Sequence, residues 1–196
     1  KSASIIPNGL EVQRYFNNSK DSTVKPFVFI IVGRLEHMKN HNFLINIVNE
    51  LRDYDFELKI VGTGILEASL KSKVSKLNLN DKIQFLGPRD DVPELLNQSS
   101  CLLLPSLWEA FPIVLLEAAA SNIPVITTPV GSVNSLISSD EGYVVNLDQF
   151  KDAMIEVLTN YKNAKIKSKL LNTKVVSHYD IRKITSLYEE LYENAI

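Results

Sequence analysis

Short apolar runs alternate with longer segments of helical periodicity along most of the chain, and this alternation limits the fold more than any other feature. We predict a strand at each run rich in Val, Ile, Leu and Phe, namely 27–32, 56–61, 83–86, 101–104, 124–128 and 142–145. Strands that alternate with helices are typical of a parallel sheet covered by helices. The sequence therefore predicts one doubly wound, Rossmann-like α/β domain of five or six strands over residues 1–196.

The predicted helices fill the intervals between these strands. We expect them at 42–51, at 65–77, at 92–97, from about Pro112 to Asn122, and from Asp148 to the end, with 178–196 as a closing helix and a short helical or irregular segment after Gly131. Pro112 suits a first helical turn, where its missing N–H is harmless. In sheets of this kind ligands bind beyond the carboxyl ends of the strands. Polar residues that directly follow a strand are therefore the candidates for function.

Composition excludes several classes of protein. Hydrophobic residues make up 45% of the 196 residues and the formal net charge is -2, which fits a globular protein and gives no general attraction to nucleic acid. No apolar run approaches the roughly 20 residues that span a bilayer. The start has no secretory signal and no initiator Met, so we interpret the chain as an excised fragment. The single cysteine, Cys101, suits a reducing cytosol, and its apolar strand favours a core thiol over a nucleophile.

The loop after the first predicted strand carries two cations. Gly33 permits a sharp turn, and Arg34 and Lys39 lie at the mouth of the next helix. A guanidinium and an ammonium in that position could hold a diphosphate. Solvated loop side chains are the alternative interpretation. His37 and His41 have helical spacing that suits a metal, but no cysteine or further acid completes a ligand set.

Two further loops give weaker signals. Gly62-Thr63-Gly64 follows the second strand, but without a third glycine it is as readily a plain turn as a dinucleotide motif. Arg89 follows the third strand, where its guanidinium could face a base. Alternatively, its acidic neighbours merely cap the following helix.

A pair of acids in an apolar segment is the strongest pointer to function. Between Ala110 and Ser139 the only charged residue is Glu117, and Glu109 precedes it by eight positions. A carboxylate in such surroundings is costly to desolvate unless it is paired or hydrogen-bonded. The free N–H groups of a helix that begins near Pro112 would favour an anion, and we expect both acids to face the same cleft. A nucleotide-sugar, with phosphates and hydroxyls, fits these groups, although each acid alone could be structural or exposed.

These residues resemble the nucleotide-sugar-binding, C-terminal half of a GT-B glycosyltransferase of the retaining family 4, the glycosyl transferases group 1. The resemblance covers nearly the whole chain, and its most specific part is the segment 105–118, with Glu109 and Glu117 separated by seven residues. The other matching segments are 6–9, 32–35 with Lys39 and Asn40, 58–64, 83–87 and 124–131.

The resemblance implies roles for individual residues. Arg34 and Lys39 would neutralise the donor diphosphate and assist its departure, and Glu109 would bind hydroxyls of the donor sugar; these are the expected catalytic residues. The other expected donor-binding residues are Gly33, Arg89, Val92, Phe111, Pro112, Ile113, Val114 and Glu117. Among them, Glu117 would bind the ribose hydroxyls, the loop at Arg89 and Val92 the base, and the main-chain N–H groups of Phe111, Ile113 and Val114 the sugar and distal phosphate. No metal is required, because catalysis would be mostly electrostatic.

The resemblance also implies a larger protein. A whole enzyme of this kind has a preceding Rossmann-like domain that binds the acceptor, here expected to be a glycan or a lipid-linked sugar, and that domain is absent from this sequence. The chain would therefore bind a UDP- or GDP-linked sugar but transfer nothing alone. The expected parent is a hexosyltransferase-type enzyme of surface polysaccharide or glycolipid biosynthesis, without a transmembrane segment. It would be cytoplasmic, with peripheral contact to the inner membrane face as a further option.

Two departures from the family pattern leave other hypotheses open. Ala110 stands where Gly is frequent, and Ser132-Val-Asn-Ser135 stands where the family often has Gly and then Pro-Glu, so a usual acid is missing. The alternative is a non-catalytic nucleotide-binding or scaffold module with the same fold. A GT-B-related sugar epimerase is a third hypothesis, but it would need further acid/base residues. His37, His41 and His178 offer no such arrangement.

Overall fold

A six-stranded parallel sheet forms the centre of the molecule, with helices on both faces. The structure is a computed structural model that describes residues 6–16 and 26–194. The strands are β1 Phe27–Val32, β2 Phe56–Val61, β3 Ile83–Gly87, β4 Cys101–Leu104, β5 Val125–Thr127 and β6 Tyr143–Val144. Their spatial order is β3-β2-β1-β4-β5-β6 and every pairing is parallel. The predicted fold class, a doubly wound parallel sheet, is confirmed.

Eight α-helices and two short 3₁₀ turns connect and cover the strands of the described residues. They are α1 His41–Glu50, α2 Glu67–Lys76, α3 Val92–Asn97, α4 Ile113–Ala120, α5 Val133–Leu136, α6 Leu147–Thr159, α7 Tyr161–His178 and α8 Ile181–Glu193, with 3₁₀ turns at Val12–Tyr15 and His37–Lys39. The predicted helical stretch after Asp148 is broken twice. Asn160 leaves helical geometry, and the Asp180 carboxylate accepts a hydrogen bond from the Arg182 amide to cap α8. Residues 195–196 of the closing segment lie outside the described residues.

The two faces of the sheet carry separate apolar clusters. Alternation along β1 sends Phe29 to one cluster with residues of α1, α2 and α6, and Ile30 to the other with residues of α4 and α7. Each fully buried aliphatic or aromatic side chain contributes about 1.5–3 kcal/mol by leaving water. Cys101 is fully buried within the first cluster, and burial raises the pKa of its thiol. That result agrees with the prediction of a core thiol.

The strand order determines where a ligand site can lie. β1 and β4 are neighbours, with Phe29 opposite Cys101 and Ile30 opposite Leu102. From β1 the chain continues to β2 on one side, and from β4 it continues to β5 on the other. Loops that diverge in this way leave a crevice at the carboxyl end of the sheet. None of the helices in the described part of the chain has both the length and the apolar character needed to cross a membrane.

Candidate functional site

A largely buried ion pair joins the loops after β1 and β4. The Lys39 Nζ lies 2.5 Å from Glu109 Oε1, and the two side chains are 14% and 9% exposed. Lys39 ends the 3₁₀ turn that follows β1, whereas Glu109 lies five residues beyond β4. The residues are 70 positions apart in sequence. The adjacency of the two strands therefore brings together two of the predicted catalytic residues.

Further hydrogen bonds fix the position of Glu109. The Ser106 hydroxyl donates to the same Oε1 at 2.6 Å, and the Thr128 hydroxyl donates to the Ser106 carbonyl at 2.6 Å. The Leu107 amide donates to the Met38 carbonyl at 2.8 Å, which ties the loop after β4 to the loop after β1. Both donors to the Glu109 carboxylate converge on one oxygen. No described residue donates to the other, which keeps its capacity to accept a hydrogen bond.

Glycines allow the backbone to pack tightly around this pair. Gly131, after β5, has φ 57°, and a Cβ there would lie 1.7 Å from the Glu109 carbonyl oxygen. At Gly33 a Cβ would meet the Lys39 stem, 3.3 Å from its Cε. The loop after β5 thus packs directly against the Glu109 backbone. The stem of Lys39 lies over the Gly33 backbone. A side chain at position 131 would force the Glu109 backbone to move, whereas one at position 33 would shift the Lys39 stem only slightly.

The second predicted cation is more exposed. Arg34 has a side chain that is 68% exposed, and its Nη1 lies 2.8 Å from Glu36 Oε1. An exposed ion pair of this kind contributes about 0–1 kcal/mol, so an anion can compete for the guanidinium at small cost. The positions of Gly33 and Arg34 directly after β1 place both at the mouth of the crevice.

The loop after β3 holds Arg89 against Asp91. Two of its guanidinium nitrogens donate to the Asp91 carboxylate, at 2.7 and 2.5 Å. This bidentate contact keeps the pKa of Asp91 below its ordinary value and leaves the face of the guanidinium free to stack. Val92 begins α3 next to it. The two predicted base contacts therefore lie close together in the chain, after a strand that β1 and β2 separate from β4.

The start of α4 offers main-chain donors. Pro112 has extended geometry at the N-cap, and its carbonyl accepts from the Leu115 amide at 3.0 Å. The amides of Phe111, Ile113 and Val114 donate to no residue in the described ranges. Free N–H groups at a helix start attract anions, because their partial positive charges add to the helix dipole. The predicted phosphate contacts are thus available on a helix that follows the Glu109 loop directly.

Glu117 lies in the second turn of α4 and is half-buried. Its Oε1 accepts a hydrogen bond from the Tyr15 hydroxyl at 2.8 Å. Burial raises the pKa of Glu117, whereas the Tyr15 hydrogen bond and the Arg14 charge oppose that rise. The two acids therefore have separate partners, Lys39 for Glu109 and Tyr15 for Glu117. Sequence reasoning missed Tyr15; the signal available was that an acid in an apolar helix needs a donor.

A groove borders the Glu109 loop on the side of β5 and β6. It has a volume of about 410 Å³ and is lined by Ser106, Leu107, Thr128, Pro129, Val130, Asn146, Leu147 and Asp148. Ser106 belongs both to this groove and to the Glu109 hydrogen-bond network. The carboxyl edge of the sheet is thus open next to the charged pair.

The histidines of the first loop do not form a metal-binding group. His41 is buried, and neither ring nitrogen has a partner among residues 6–16 and 26–194. Burial and the Lys39 charge lower its pKa to about 4. In those same residues no group of three or more His, Cys, Asp or Glu side chains is placed to hold a metal ion.

Comparison with known proteins identifies relatives of the whole chain. It is 30% identical over 207 aligned residues to an Escherichia coli UDP-Gal:alpha-D-GlcNAc-diphosphoundecaprenol alpha-1,3-galactosyltransferase, an alignment that covers 96% of this chain and 53% of the relative. It is 26% identical to the Phosphatidylinositol N-acetylglucosaminyltransferase gpi3 subunit of Schizosaccharomyces pombe, with 99% of this chain and 44% of the relative covered. The chain thus spans about half the length of these relatives.

Solved structures share the fold. Anabaena Alr3699/HepE in complex with UDP and glucose superposes with a TM-score of 0.88 at 19% identity, over 97% of this chain and 57% of that one. The C-terminal domain of LpcC, a glycosyl transferase group 1 family protein from Francisella tularensis, superposes with a TM-score of 0.78 at 22% identity, over 88% of this chain and 100% of that one. Both superpositions support the predicted fold, and the second covers a domain described as C-terminal. The sequence profile of the glycosyl transferases group 1 matches residues 13–170, and the chain belongs to that family.

Proposed function

We propose that this chain is the donor-binding domain of a retaining glycosyltransferase and that it binds a UDP- or GDP-linked sugar in the crevice beyond β1 and β4. The observation that carries this proposal is the buried Lys39–Glu109 pair beside the free amides of α4. Cations and N–H groups match a diphosphate, and a fixed carboxylate matches sugar hydroxyls. The E. coli relative is named for UDP-Gal and the Anabaena structure holds UDP and glucose, which supports a nucleotide-sugar donor.

Each group has a distinct part in donor binding. Lys39 and Arg34 would contact the diphosphate, with the amides of Ile113 and Val114 on the distal phosphate. Glu109 would accept hydrogen bonds from sugar hydroxyls through its second oxygen. Glu117 would bind the ribose hydroxyls. The loop at Arg89 and Val92 would contact the base.

The same groups can assist the departure of the nucleotide. As the glycosidic bond breaks, negative charge grows on the diphosphate, and fixed cations and amides stabilise that charge more than they stabilise the ground state. The Lys39 ammonium is held by Glu109 in a position that needs little reorganisation, and the exposed Arg34 can turn from Glu36 to the phosphate. We propose that these groups act without a metal ion.

The activity proposed belongs to the full-length protein. We infer that a second domain supplies a glycan or lipid-linked acceptor across the cleft, and that the chain alone transfers nothing. A role in surface polysaccharide or glycolipid biosynthesis at the cytoplasmic side of the membrane fits relatives with names such as amylovoran biosynthesis glycosyltransferase and a galactosyltransferase that acts on a diphosphoundecaprenol-linked sugar.

Titration of the full-length protein with UDP, GDP and ADP tests the donor class. We expect UDP or GDP to bind more tightly than ADP, and the sugar conjugate of the one that binds to be hydrolysed or transferred. Arg34→Ala and Glu109→Gln should lower that rate by about tenfold or more, as expected for loss of a charged contact to the donor. Lys151→Ala is the matched control, because it removes an exposed ion pair with Glu50 that includes none of the predicted site residues.

The non-catalytic alternative rests on the segment after β5. Ser132–Ser135 stands where a usual acid of the family is missing, and α5 begins within it. Nucleotide binding without any turnover in the full-length protein would favour that alternative. Equal rates in the wild type and both site variants would contradict the proposed catalytic roles.

A further inference from the structure

Tyr15 places a hydroxyl on one oxygen of the Glu117 carboxylate. The residue is 5% exposed, and its Oη donates to Glu117 Oε1 at 2.8 Å. The two residues are 102 positions apart in sequence. No other described residue donates to this carboxylate. One oxygen of Glu117 is therefore held and the other remains available.

The segment that carries Tyr15 is anchored independently of this hydrogen bond. The Leu10 amide donates to the Tyr179 carbonyl at 2.8 Å, and the Ile181 amide donates to the Leu10 carbonyl at 2.9 Å. Val12 is buried in the same apolar cluster as α4. Because the backbone and the ring are both fixed, the hydroxyl has a fixed direction as well. The anchored Tyr15 hydroxyl therefore fixes the orientation of the Glu117 carboxylate, and the position of the Tyr15 segment does not depend on Glu117.

Glu117 needs a hydrogen-bond donor, and the Tyr15 hydroxyl is that donor. The acid lies in the helix Ile113–Ala120, where every other side chain is apolar. Arg14 acts on the carboxylate only through its charge, and a long carboxylate side chain without a fixed partner has several rotamers. The Tyr15 hydroxyl supplies both a compensating donor and a single orientation.

We propose that Tyr15 is a positioning residue that orients Glu117 toward the ribose hydroxyls of the donor nucleotide. This inference rests on the proposed function, since it assumes that Glu117 faces a nucleotide. Tyr15 itself does not contact the ligand. It holds Oε1, so that Oε2 presents its lone pairs to the vicinal diol of the ribose. Tyr15 therefore contributes to discrimination between ribose and sugars that lack these hydroxyls.

The test compares two ligands in the full-length protein. Calorimetry gives the dissociation constants of the nucleoside diphosphate that binds, UDP or GDP, and of its 2′,3′-dideoxy form. We expect Tyr15→Phe to weaken binding of the ribose form about tenfold, the effect of a charged hydrogen bond, and to leave the dideoxy form unchanged. Glu117→Gln should reduce the same discrimination, and the double variant should lose no more than the larger single loss.

Tyr143→Phe is the matched control. Tyr143 is also buried, and its hydroxyl also donates to a glutamate, Glu156, at 3.3 Å, but it lies on β6. That variant should keep the wild-type discrimination. If Tyr15→Phe does not fold, 3-fluorotyrosine at position 15 replaces it; its altered donor strength should change the affinity for the ribose form and leave that for the dideoxy form unchanged.

The outcomes separate this inference from the function on which it rests. If Tyr15→Phe weakened the binding of both ligands equally, or of neither, the proposed role of Tyr15 would be overturned. The proposal of donor binding would still stand. If the wild type bound neither UDP nor GDP, the proposed function would fail and the role of Tyr15 with it.

Discussion

Removal of the Lys39 charge should destabilise the protein far more than removal of an exposed lysine. In Lys39→Met the stem that lies over Gly33 is kept, but Glu109 loses its cation. Ser106 would be the remaining donor to the carboxylate among the described residues. A buried carboxylate with that single neutral partner is poorly compensated for the loss of water.

The burial of the Lys39–Glu109 pair determines how much free energy of unfolding should be lost. Breaking a buried ion pair by removing one partner costs about 3–5 kcal/mol, and we expect the lower end because some solvent reaches both groups. Removing both charges in Lys39→Met/Glu109→Gln should cost less than Lys39→Met alone, because no unpaired charge remains. Lys151→Met breaks the exposed Lys151–Glu50 pair and should cost about 1 kcal/mol or less.

Urea unfolding at pH 7, followed by circular dichroism, measures these differences for the wild type, Lys39→Met, Glu109→Gln, the double variant and Lys151→Met. A double-mutant cycle then gives the coupling free energy of the pair. If Lys39→Met lowers the free energy of unfolding no more than Lys151→Met does, the buried Glu109 carboxylate does not depend on Lys39 for its stability. The site geometry argued from the ion pair would then be wrong.

Two further predictions concern residues next to this pair. His41 is neutral when folded, with a pKa of about 4, and takes up a proton near pH 6.5 when unfolded, so its contribution to stability is complete above about pH 6.5 and declines as the pH falls toward 4. Between pH 7 and pH 4.5 the free energy of unfolding in urea should fall by about 2–3 kcal/mol more in the wild type than in His41→Leu. Parallel pH profiles of the two proteins would contradict this. Gly131→Ala should cost more than about 2 kcal/mol, because its Cβ would collide with the Glu109 carbonyl. Gly87→Ala is the control, with φ 68° and no atom within 4 Å, and should cost about 1 kcal/mol; equal losses of melting temperature would refute the role of the collision.

Local periodicity predicted the sheet well because buried parallel strands are continuous apolar runs. The bounds of β1, β2 and β4 agree with the sequence prediction. β6 is shorter, Tyr143–Val144, because it lies at the edge of the sheet and pairs only with the three-residue β5. Helix breaks at the end of the chain were not predictable from periodicity. α7 buries a face against α4, whereas α8 buries only Ile184, and the non-helical backbone of Tyr179 and Asp180 separates them.

The site was predictable in part. Arg34, Lys39 and Glu109 could be singled out because each follows a strand that ends at the carboxyl edge of the sheet. Their pairing was not predictable, since an expectation of two cations on one diphosphate does not say which of them binds an acid. Lys39 lies against Glu109, and Arg34 lies against Glu36. The partner of Glu117 comes from a segment without helical or strand periodicity, and only tertiary structure brings it there.

The two acids are held in the same way, and the sequence around them does not reveal it. Each is held through one oxygen by a donor from a distant segment, Glu109 by Lys39 and Glu117 by Tyr15. A carboxylate has two oxygens, so a donor on one fixes its orientation while the other has no donor among the described residues. Lys39 and Tyr15 belong to segments outside the β4–α4 unit that carries the acids, and Ser106 within that unit adds a second donor to Glu109. The spacing of the acids is therefore set by β4 and α4, whereas their orientation is set by the chain around them. Substitutions in Tyr15 or Lys39 should consequently alter ligand selectivity without moving the acids along the backbone.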